Sequence, residues 1–250
     1  DRVVAIGAIN EPGFYAERAA VHADQVARIP EGVSFISAAA LPIASLSAWY
    51  TLRRLADLQP GESVLINAAA GGVGSAAVQI AAEVGATVIA TAGSQARRDW
   101  VSGLGAEHVL DSRTTSSDER VGKILQLTDG QGVHVALDLV GGDAFGESLT
   151  SLAHGGRVIS AANVALQPST IDTRDFYPKN ARIYGFQITG LIEDGYDARG
   201  DLTDLLARVA HRRLTVPVDA AYELTEAGKA HAHLEQRTNQ GKIVLAVRHS

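Results

Sequence analysis

Residues 63–82 read SVLINAAAGGVGSAAVQIAA: an apolar strand runs through a turn of glycine and alanine into an apolar helix. Such a turn lets the backbone approach a diphosphate closely, and the first free N–H groups of the helix offer donors to its charge. The Gly-x-Gly-x-x-Gly pattern is met in part, because Ala69 stands at the first glycine position and Gly71 and Gly74 supply the other two. A second strand, Thr87–Thr91, completes a βαβ unit. The stretch therefore predicts a dinucleotide site; the alternative is a tight structural turn.

The end of the second strand indicates which dinucleotide is bound. An NAD site usually carries Asp or Glu about 20 residues past the glycines, where it binds the ribose 2′-hydroxyl. Here Ala92 stands at that position, and Gly93, Ser94, Arg97 and Arg98 follow closely. A carboxylate would repel a 2′-phosphate, whereas a hydroxyl and a guanidinium accept one. We therefore expect NADPH as the cofactor; the alternative is that the two arginines are solvated surface charges.

Strand and helix patterns alternate regularly after residue 60. Apolar strands that are linked by helices indicate an α/β fold with a doubly wound, parallel, six-stranded sheet of the Rossmann type. In such a sheet the cofactor lies across the carboxyl ends of the strands. The predicted strands are Ser63–Asn67, Thr87–Thr91, His108–Leu110, Val133–Asp138, Arg157–Ser160 and Arg182–Phe186, and two predicted helices are Gly72–Val84 and Asp118–Leu127.

The two ends of the chain follow a different pattern. Residues Arg2–Ile6 and Tyr15–Val21 alternate as strands around a turn at Glu11–Gly13, which predicts antiparallel β-structure. The segment Lys242–Val247 reads as a strand with no helix after it, following a helix near Leu202–Arg212. We infer a second, smaller, β-rich domain that is assembled from both ends.

Composition excludes several classes of function. The net charge of −6 argues against a nucleic-acid partner or an anionic membrane surface, because both need clustered Lys and Arg. The chain has no cysteine, so it offers neither disulfides nor thiolate metal ligands. The uncharged stretch from Gly32 to Leu52 contains Pro42, and we predict a helix pair there rather than a membrane span. A cytoplasmic location is the expectation.

Seven stretches along the chain resemble the zinc-free branch of the medium-chain dehydrogenase/reductase superfamily. This branch holds the quinone oxidoreductases and the related enoyl reductase domains of polyketide synthases. The matching stretches are Gly13–Glu17, Ala38–Pro42, Leu58–Leu65, Ala68–Gly74, Leu104–Ala106, Val140–Gly142 and Gly241–Leu245.

The resemblance implies a GroES-like catalytic domain, residues 1–45 and 190–250, and an NADPH-binding Rossmann domain, residues 46–189. It also implies that the catalytic domain is incomplete at its N-terminus here. Zinc-dependent members place a metal ligand near the position of Ile43, which cannot ligate, so no metal is expected.

The same resemblance assigns the cofactor-binding residues. Ser47 would reach the nicotinamide ribose or amide, and Gly71, Gly72, Val73 and Gly74 would cradle the diphosphate. The residues expected to bind the adenosine phosphate are Gly93, Ser94, Arg97 and Arg98, and those expected to border the adenine are Ser112 and Arg113. The nicotinamide half would be lined by Gly142, Ala161, Ala162, Asn163, Phe186 and Gln187. Lys242 would close over the nicotinamide half. Two alternatives stay open: a Ser47 hydroxyl that only bonds a helix carbonyl, and a Phe186 ring that packs in the core.

The implied activity is hydride transfer from NADPH to a quinone or to an α,β-unsaturated carbonyl compound, without zinc. The alternatives are an enoyl reductase domain of a modular polyketide synthase and a catalytically silent NADPH-binding truncation. Expected partners are a small-molecule or acyl-thioester substrate and, for a free-standing enzyme, a second copy in a homodimer. No catalytic acid is assigned from the sequence.

Overall fold

A computed structural model describes residues 1–7 and 13–247. The strands are β1 Val3–Ala5, β2 Val26–Arg28, β3 Ser63–Ile66, β4 Thr87–Ala92, β5 His108–Asp111, β6 Val133–Asp138, β7 Leu152–Ser160, β8 Arg182–Gly185, β9 Val218–Glu223 and β10 Lys242–Ala246. The α-helices are α1 Phe35–Ala40, α2 Pro42–Trp49, α3 Gly72–Val84, α4 Gln95–Gly103, α5 Ser117–Leu127, α6 Asp143–Thr150, α7 Ile188–Glu193, α8 Arg199–Ala210 and α9 Ala227–Glu235. A π-helical segment, Tyr50–Leu55, follows α2.

The chain divides into two compact units. The first unit comprises Asp1–Ser47, Gly71–Ala76 and Gln187–Ser250, and the second comprises Ala48–Ala70 and Ala77–Phe186. The assignment of a GroES-like catalytic domain and an NADPH-binding domain to particular residue ranges stays a prediction.

The second unit is built on a six-stranded sheet in the order β5-β4-β3-β6-β7-β8. All neighbouring strands in this sheet are parallel. Strand order reverses between β3 and β6, which is the position where doubly wound sheets bind their ligands. The predicted Rossmann-type fold is therefore confirmed, although β7 begins at Leu152, five residues earlier than the strand predicted from sequence, because Leu152 also pairs with Val133.

Local sequence explains where these elements begin. All four residues of β3 are buried, as expected for a central strand that is covered on both faces. Ser94 caps α4 by accepting a hydrogen bond from the Arg97 amide. Ser116 and Glu119 form a reciprocal capping box at the start of α5.

An ion pair holds the amino ends of the central strands together. Arg157, which pairs with Val135 in the β6–β7 ladder, donates to both carboxylate oxygens of Glu62 at 2.6 and 2.7 Å. The same guanidinium also donates to the carbonyl oxygens of Ala56 at 2.8 Å, Asp57 at 3.2 Å and His134 at 3.3 Å. Burial raises the pKa of Glu62, but the hydrogen bonds from Arg157 and the Gln59 amide outweigh it and lower the pKa below 4.5.

The first unit contains two separate two-stranded sheets. Strand β1 pairs antiparallel with β2, and β10 pairs parallel with β9. The predicted strand at Tyr15–Val21 is wrong, because β1 takes Val26–Arg28 as its partner and residues 13–20 are exposed. The segment Tyr15–Val21 consists largely of alanine and charged residues, which have a low strand propensity. Pairing of β1 with β2 instead buries Ala27. Glu11 and Pro12 of the predicted turn lie outside the described residues.

The helix pair predicted between Gly32 and Leu52 is present as α1 and α2. Ser34 caps α1, and Pro42 begins α2 at a position where its missing N–H group is tolerated. In the part of the chain that the structure describes, every helix is too short or too polar to cross a membrane.

Candidate functional site

The turn after β3 is fixed by backbone contacts to β4 in the second unit. Ala68 adopts a left-handed conformation with φ of 51°, which is uncommon for a residue with a Cβ. Its amide donates to the Thr91 hydroxyl at 3.3 Å, and the Ala69 amide donates to the Thr91 carbonyl oxygen at 3.0 Å. The turn therefore has a defined backbone shape before any ligand is considered.

The start of α3 belongs to the first unit, where it contacts the beginning of β10. Gly71 forms an isolated parallel bridge with Gly241. A Cβ on Gly72 would stand 2.6 Å from Cδ of Lys242, so the lysine side chain lies directly on this glycine. In an α-helix the first amides, here those of residues 72–74, have no intrahelical acceptor. The predicted diphosphate residues and Lys242 are thus neighbours.

Lys242 is largely buried, and burial lowers the pKa of its ammonium group below 10.5. Within the described residues the ammonium group donates no hydrogen bond, while its backbone amide donates to the Pro217 carbonyl oxygen at 2.9 Å. The approach to β10 is held by Asp219, which accepts from the Gln240 amide at 3.1 Å and lies 3.3 Å from Nε2 of His233. These contacts fix the backbone that carries Lys242.

The residues predicted to bind the adenosine phosphate follow β4, and those predicted to border the adenine follow β5, the neighbouring parallel strand in the second unit. Ala92 at the end of β4 is in register with Asp111 at the end of β5, and the Ser112 amide donates to the Ala92 carbonyl oxygen at 3.2 Å. A Cβ on Gly93 would stand 2.9 Å from Nε of Arg113, so the Arg113 side chain packs on the glycine. The structure brings Gly93, Ser112 and Arg113 together at one edge of the sheet.

The arginines of this region have different environments. Nη1 of Arg98 donates to Asp111 at 2.7 Å, and Nη2 donates to the Gln95 side chain at 2.8 Å. The exposed guanidinium of Arg113 makes no hydrogen bond or ion pair within the described residues. The amides of Arg113 and Thr114 are the main cause that lowers the pKa of Asp111 to about 2. Arg98 is therefore already paired, whereas Arg113 is available to an anion.

Most of the predicted nicotinamide residues lie after β6 and β7, again at the carboxyl edge of the sheet. Gly142 precedes α6 with φ of 56°, and the Ala161 amide donates to the Asp138 carbonyl oxygen at 3.0 Å. A Cβ on Gly141 would stand 2.5 Å from Oδ1 of Asn163, so these two residues touch. Ala162 lies between Ala161 and Asn163 in the same connection.

Three predicted residues remain, and two of them have structural partners of their own. The Ser47 hydroxyl donates to the Ile43 carbonyl oxygen at 2.7 Å. This is the hydrogen bond to a helix carbonyl that we gave as the alternative to a cofactor contact. Phe186 stacks on Tyr50 with ring centroids 5.5 Å apart. Gln187 lies in the first unit, directly before α7.

Sequence reasoning missed a buried polar cluster in the second unit. It consists of Asn67, Thr91, Asp138 and Ser148, each at most 3% exposed, and we name it the Asn67 cluster. Asn67, a polar residue at the end of an otherwise apolar strand, could have indicated such a cluster from the sequence, since buried polar side chains need hydrogen-bond partners. Those partners come from β4, β6 and α6, which the sequence alone does not identify.

The family model of zinc-binding dehydrogenases matches residues 72–209, more than half of the chain. This chain belongs to the zinc-binding dehydrogenase family. The predicted resemblance to medium-chain dehydrogenases/reductases is confirmed, and the chain is an oxidoreductase of that superfamily.

Polyketide synthases and quinone oxidoreductases are two of the groups to which this family member is similar. Over 98% of its length the chain is 36% identical to a mycocerosic acid synthase-like polyketide synthase of Mycobacterium tuberculosis, and it spans 12% of that protein. Among solved structures, CurK enoyl reductase is 32% identical with a TM-score of 0.78, and the match covers 90% of this chain and 66% of CurK. Escherichia coli quinone oxidoreductase complexed with NADPH is 30% identical with a TM-score of 0.79, and the match covers 90% of this chain and 69% of that one.

The described residues of this zinc-binding dehydrogenase homologue do not fit a zinc ion. Within residues 1–7 and 13–247, no three His, Cys, Asp or Glu side chains are grouped closely enough to hold a metal. Ile43 has no donor atom at the position where the resemblance expects a ligand. A zinc-free reaction stays our prediction for this chain.

Proposed function

We propose that the protein uses NADPH to reduce the carbon–carbon double bond of an α,β-unsaturated acyl thioester, as an enoyl reductase region of a polyketide synthase would. The similarity to a polyketide synthase over 98% of the chain supports this substrate class. The likeness to the CurK enoyl reductase, at 32% identity, supports the reaction type.

The observation that carries the cofactor proposal is the arrangement of Ala92, Gly93 and Arg113. No carboxylate follows β4 where an NAD site would place one, and the Asp111 carboxylate at the end of β5 is paired with Arg98. The Arg113 guanidinium lies over Gly93 with no other partner among the described residues. A guanidinium offers two parallel donors to a phosphate, so this arrangement favours a 2′-phosphate over a free hydroxyl.

A bound nicotinamide would supply a hydride to the β-carbon of the substrate, and a proton from solvent or an acid would complete reduction at the α-carbon. The protein contributes positioning and charge. In the first unit, the α3 amides and the Lys242 ammonium group would bind the diphosphate, since both present donors with no partner in the described residues. In the second unit, the small residues Gly142, Ala161 and Ala162 leave the carboxyl edge of the sheet open for the planar ring.

A second candidate substrate is a quinone. The specific observation in its favour is the likeness to the Escherichia coli quinone oxidoreductase, at 30% identity and a TM-score of 0.79. Both candidates accept a hydride at a conjugated position, so they differ in the substrate and not in the cofactor chemistry.

Fluorescence titration followed by turnover tests the proposal. We expect NADPH to bind at least about tenfold more tightly than NADH, because one charge-assisted contact to the 2′-phosphate distinguishes the two. We expect the protein to oxidise NADPH with a crotonyl thioester and not with the matched butyryl thioester, which has no double bond. Tighter binding of NADH would overturn the cofactor proposal. Turnover with naphthoquinone alone would replace the enoyl substrate by the quinone.

A further inference from the structure

The Asn67 cluster connects the carboxyl ends of three neighbouring strands. The Asn67 amide nitrogen donates to the Ser148 hydroxyl at 2.9 Å, and its carbonyl oxygen accepts from the Thr91 hydroxyl at 3.2 Å. The Asn67 side chain also lies beside the Asp138 carboxyl group and lowers the pKa of that group, against the larger effect of burial. One side chain at the end of β3 is therefore joined to the ends of β4 and β6 and to α6.

The arms of the cluster through Thr91 and Asp138 each end on the backbone of a turn. The Thr91 hydroxyl accepts from the amide of Ala68, the left-handed residue that opens the diphosphate turn. The Asp138 carboxylate accepts from the amides of Val140 at 3.1 Å and Gly141 at 3.0 Å. The cluster thus contacts both the turn after β3 and the turn after β6.

Burial of these polar groups destabilises the folded protein unless each of them forms its hydrogen bonds. Asp138 and Ser148 are fully buried, and burial is the main cause that raises the pKa of Asp138 above 3.8. A network of fully paired buried polar groups fixes one geometry more sharply than apolar packing does. Most of the surrounding strand residues are apolar, so the polar groups are concentrated where the backbone leaves the sheet.

We propose that Asn67 is a positioning residue for the cofactor, which, through Thr91 and Asp138, holds the turn after β3 and the turn after β6 in a fixed mutual geometry. This inference rests on the proposed NADPH function. Neither Asn67 nor Thr91 needs to touch the cofactor; their effect passes through the amides of Ala68 and Gly141. Deleting either arm should loosen its turn and weaken cofactor binding, beyond any general loss of stability.

Substitution of Thr91 separates positioning from packing. Thr91→Val keeps the shape of the side chain and removes its hydroxyl, whereas Thr91→Ser keeps the hydroxyl. We expect Thr91→Val to raise the Kd for NADPH about fivefold, which corresponds to one neutral hydrogen bond, and Thr91→Ser to stay within about twofold of the wild type. Asn67→Leu removes both arms at similar volume and should raise the Kd further.

Thr128→Val is the matched control in the same unit. The Thr128 hydroxyl also accepts a turn amide, that of Gly132 at 3.0 Å, but it lies before β6, at the amino end of the strand. We expect this variant to lower the melting temperature without changing the Kd for NADPH. Equal losses of melting temperature in Thr91→Val and Thr128→Val, with an unchanged Kd in both, would overturn the positioning role.

Amide hydrogen exchange of the cofactor-free protein tests whether the Asn67 cluster orders the two turns, without relying on NADPH binding. We expect amides in residues 67–70 and 139–142 to exchange faster in Asn67→Leu than in the wild type, and amides in residues 67–70 to do so in Thr91→Val. Unchanged exchange in both turns of both variants would refute the inference. If the wild type binds no NADPH, the proposed function fails, and the exchange comparison still decides whether the cluster orders the turns.

Discussion

Substitution of Arg113 by alanine is the sharpest test of how the protein recognises its cofactor. The structure shows the Arg113 side chain packed on Gly93, with no hydrogen-bond partner for its guanidinium among the described residues. Arg98, whose side chain is only 17% exposed, already donates to Asp111 and Gln95. Of these two arginines, only Arg113 can bind a phosphate without first breaking an ion pair.

The expected magnitude follows from these contacts. A charge-assisted hydrogen bond contributes about 1.5–3 kcal/mol, and screening at an exposed site favours the lower end of that range. Arg113→Ala should therefore raise the Kd for NADPH about tenfold and leave the Kd for NADH within about twofold. Arg98→Ala should raise the Kd for NADPH less, because a phosphate contact from Arg98 would have to replace its bond to Asp111.

Fluorescence titration of both cofactors, at low and at physiological salt, measures these effects. The loss in Arg113→Ala should be larger at low salt, since exposed charges are then screened less. Arg174→Ala is the matched control, because Arg174 is exposed and pairs locally with Asp172. Equal weakening of NADPH and NADH binding in Arg113→Ala, or a larger loss of NADPH affinity in Arg98→Ala, would refute the reasoning.

Four further predictions concern stability and the binding of the cofactor's diphosphate. Arg157→Met should lower the free energy of unfolding by about 3–5 kcal/mol and Glu62→Gln by about 1–3 kcal/mol in urea titrations, because only the first leaves a mostly buried carboxylate without its charged partner. The lowered pKa of Glu62 means that its contribution is complete above pH 4.5 and is lost as pH falls through the folded-state pKa; a pH-independent stability in this range would contradict it. Gly241→Ala should lower the melting temperature, because Gly241 has a φ of 82° and the new Cβ would collide with the backbone carbonyl oxygen of Pro217. Gly228→Ala is the control, because a Cβ on this helical glycine would meet no atom within 4 Å. Equal melting temperatures of the two variants would contradict the prediction. Lys242→Met should weaken NADPH and NADH binding alike, about fivefold, since the diphosphate is common to both; selective loss of NADPH would show that Lys242 binds elsewhere.

The sheet could be predicted from the sequence because its signals are local. Strand β3 is apolar throughout most of its length, the glycine turn follows it directly, and helices of ordinary length separate the later strands. Each of these patterns depends on residues that are close together in the chain. The strand order then follows from the fold that such a pattern favours.

Pairing between distant residues explains what the sequence did not reveal. The partner of β1 is Val26–Arg28 and not Tyr15–Val21, since both segments can be extended and burial of Ala27 decides between them. Similarly, Asp111 lies thirteen residues after Arg98, and the ion pair between them forms because of the register between β4 and β5. Local propensity carries no information on either choice.

The Asn67 cluster illustrates the same limit within the candidate site. Asn67 is recognisable as a polar residue at the end of an apolar strand, but its partners Thr91 and Ser148 are 24 and 81 residues away. Only the folded sheet shows that these side chains meet and that they end on the backbone of two turns.

The ion pair between Arg157 and Glu62 has an evolutionary consequence for the second unit. It ties the strands at the border of the sheet opposite to the one that carries Arg113 and the Asn67 cluster. Robustness and ligand preference therefore depend on separate sets of residues. A lineage could exchange residues at the carboxyl edge of the sheet, one after another, while the ion pair at the amino edge keeps the sheet folded during each change.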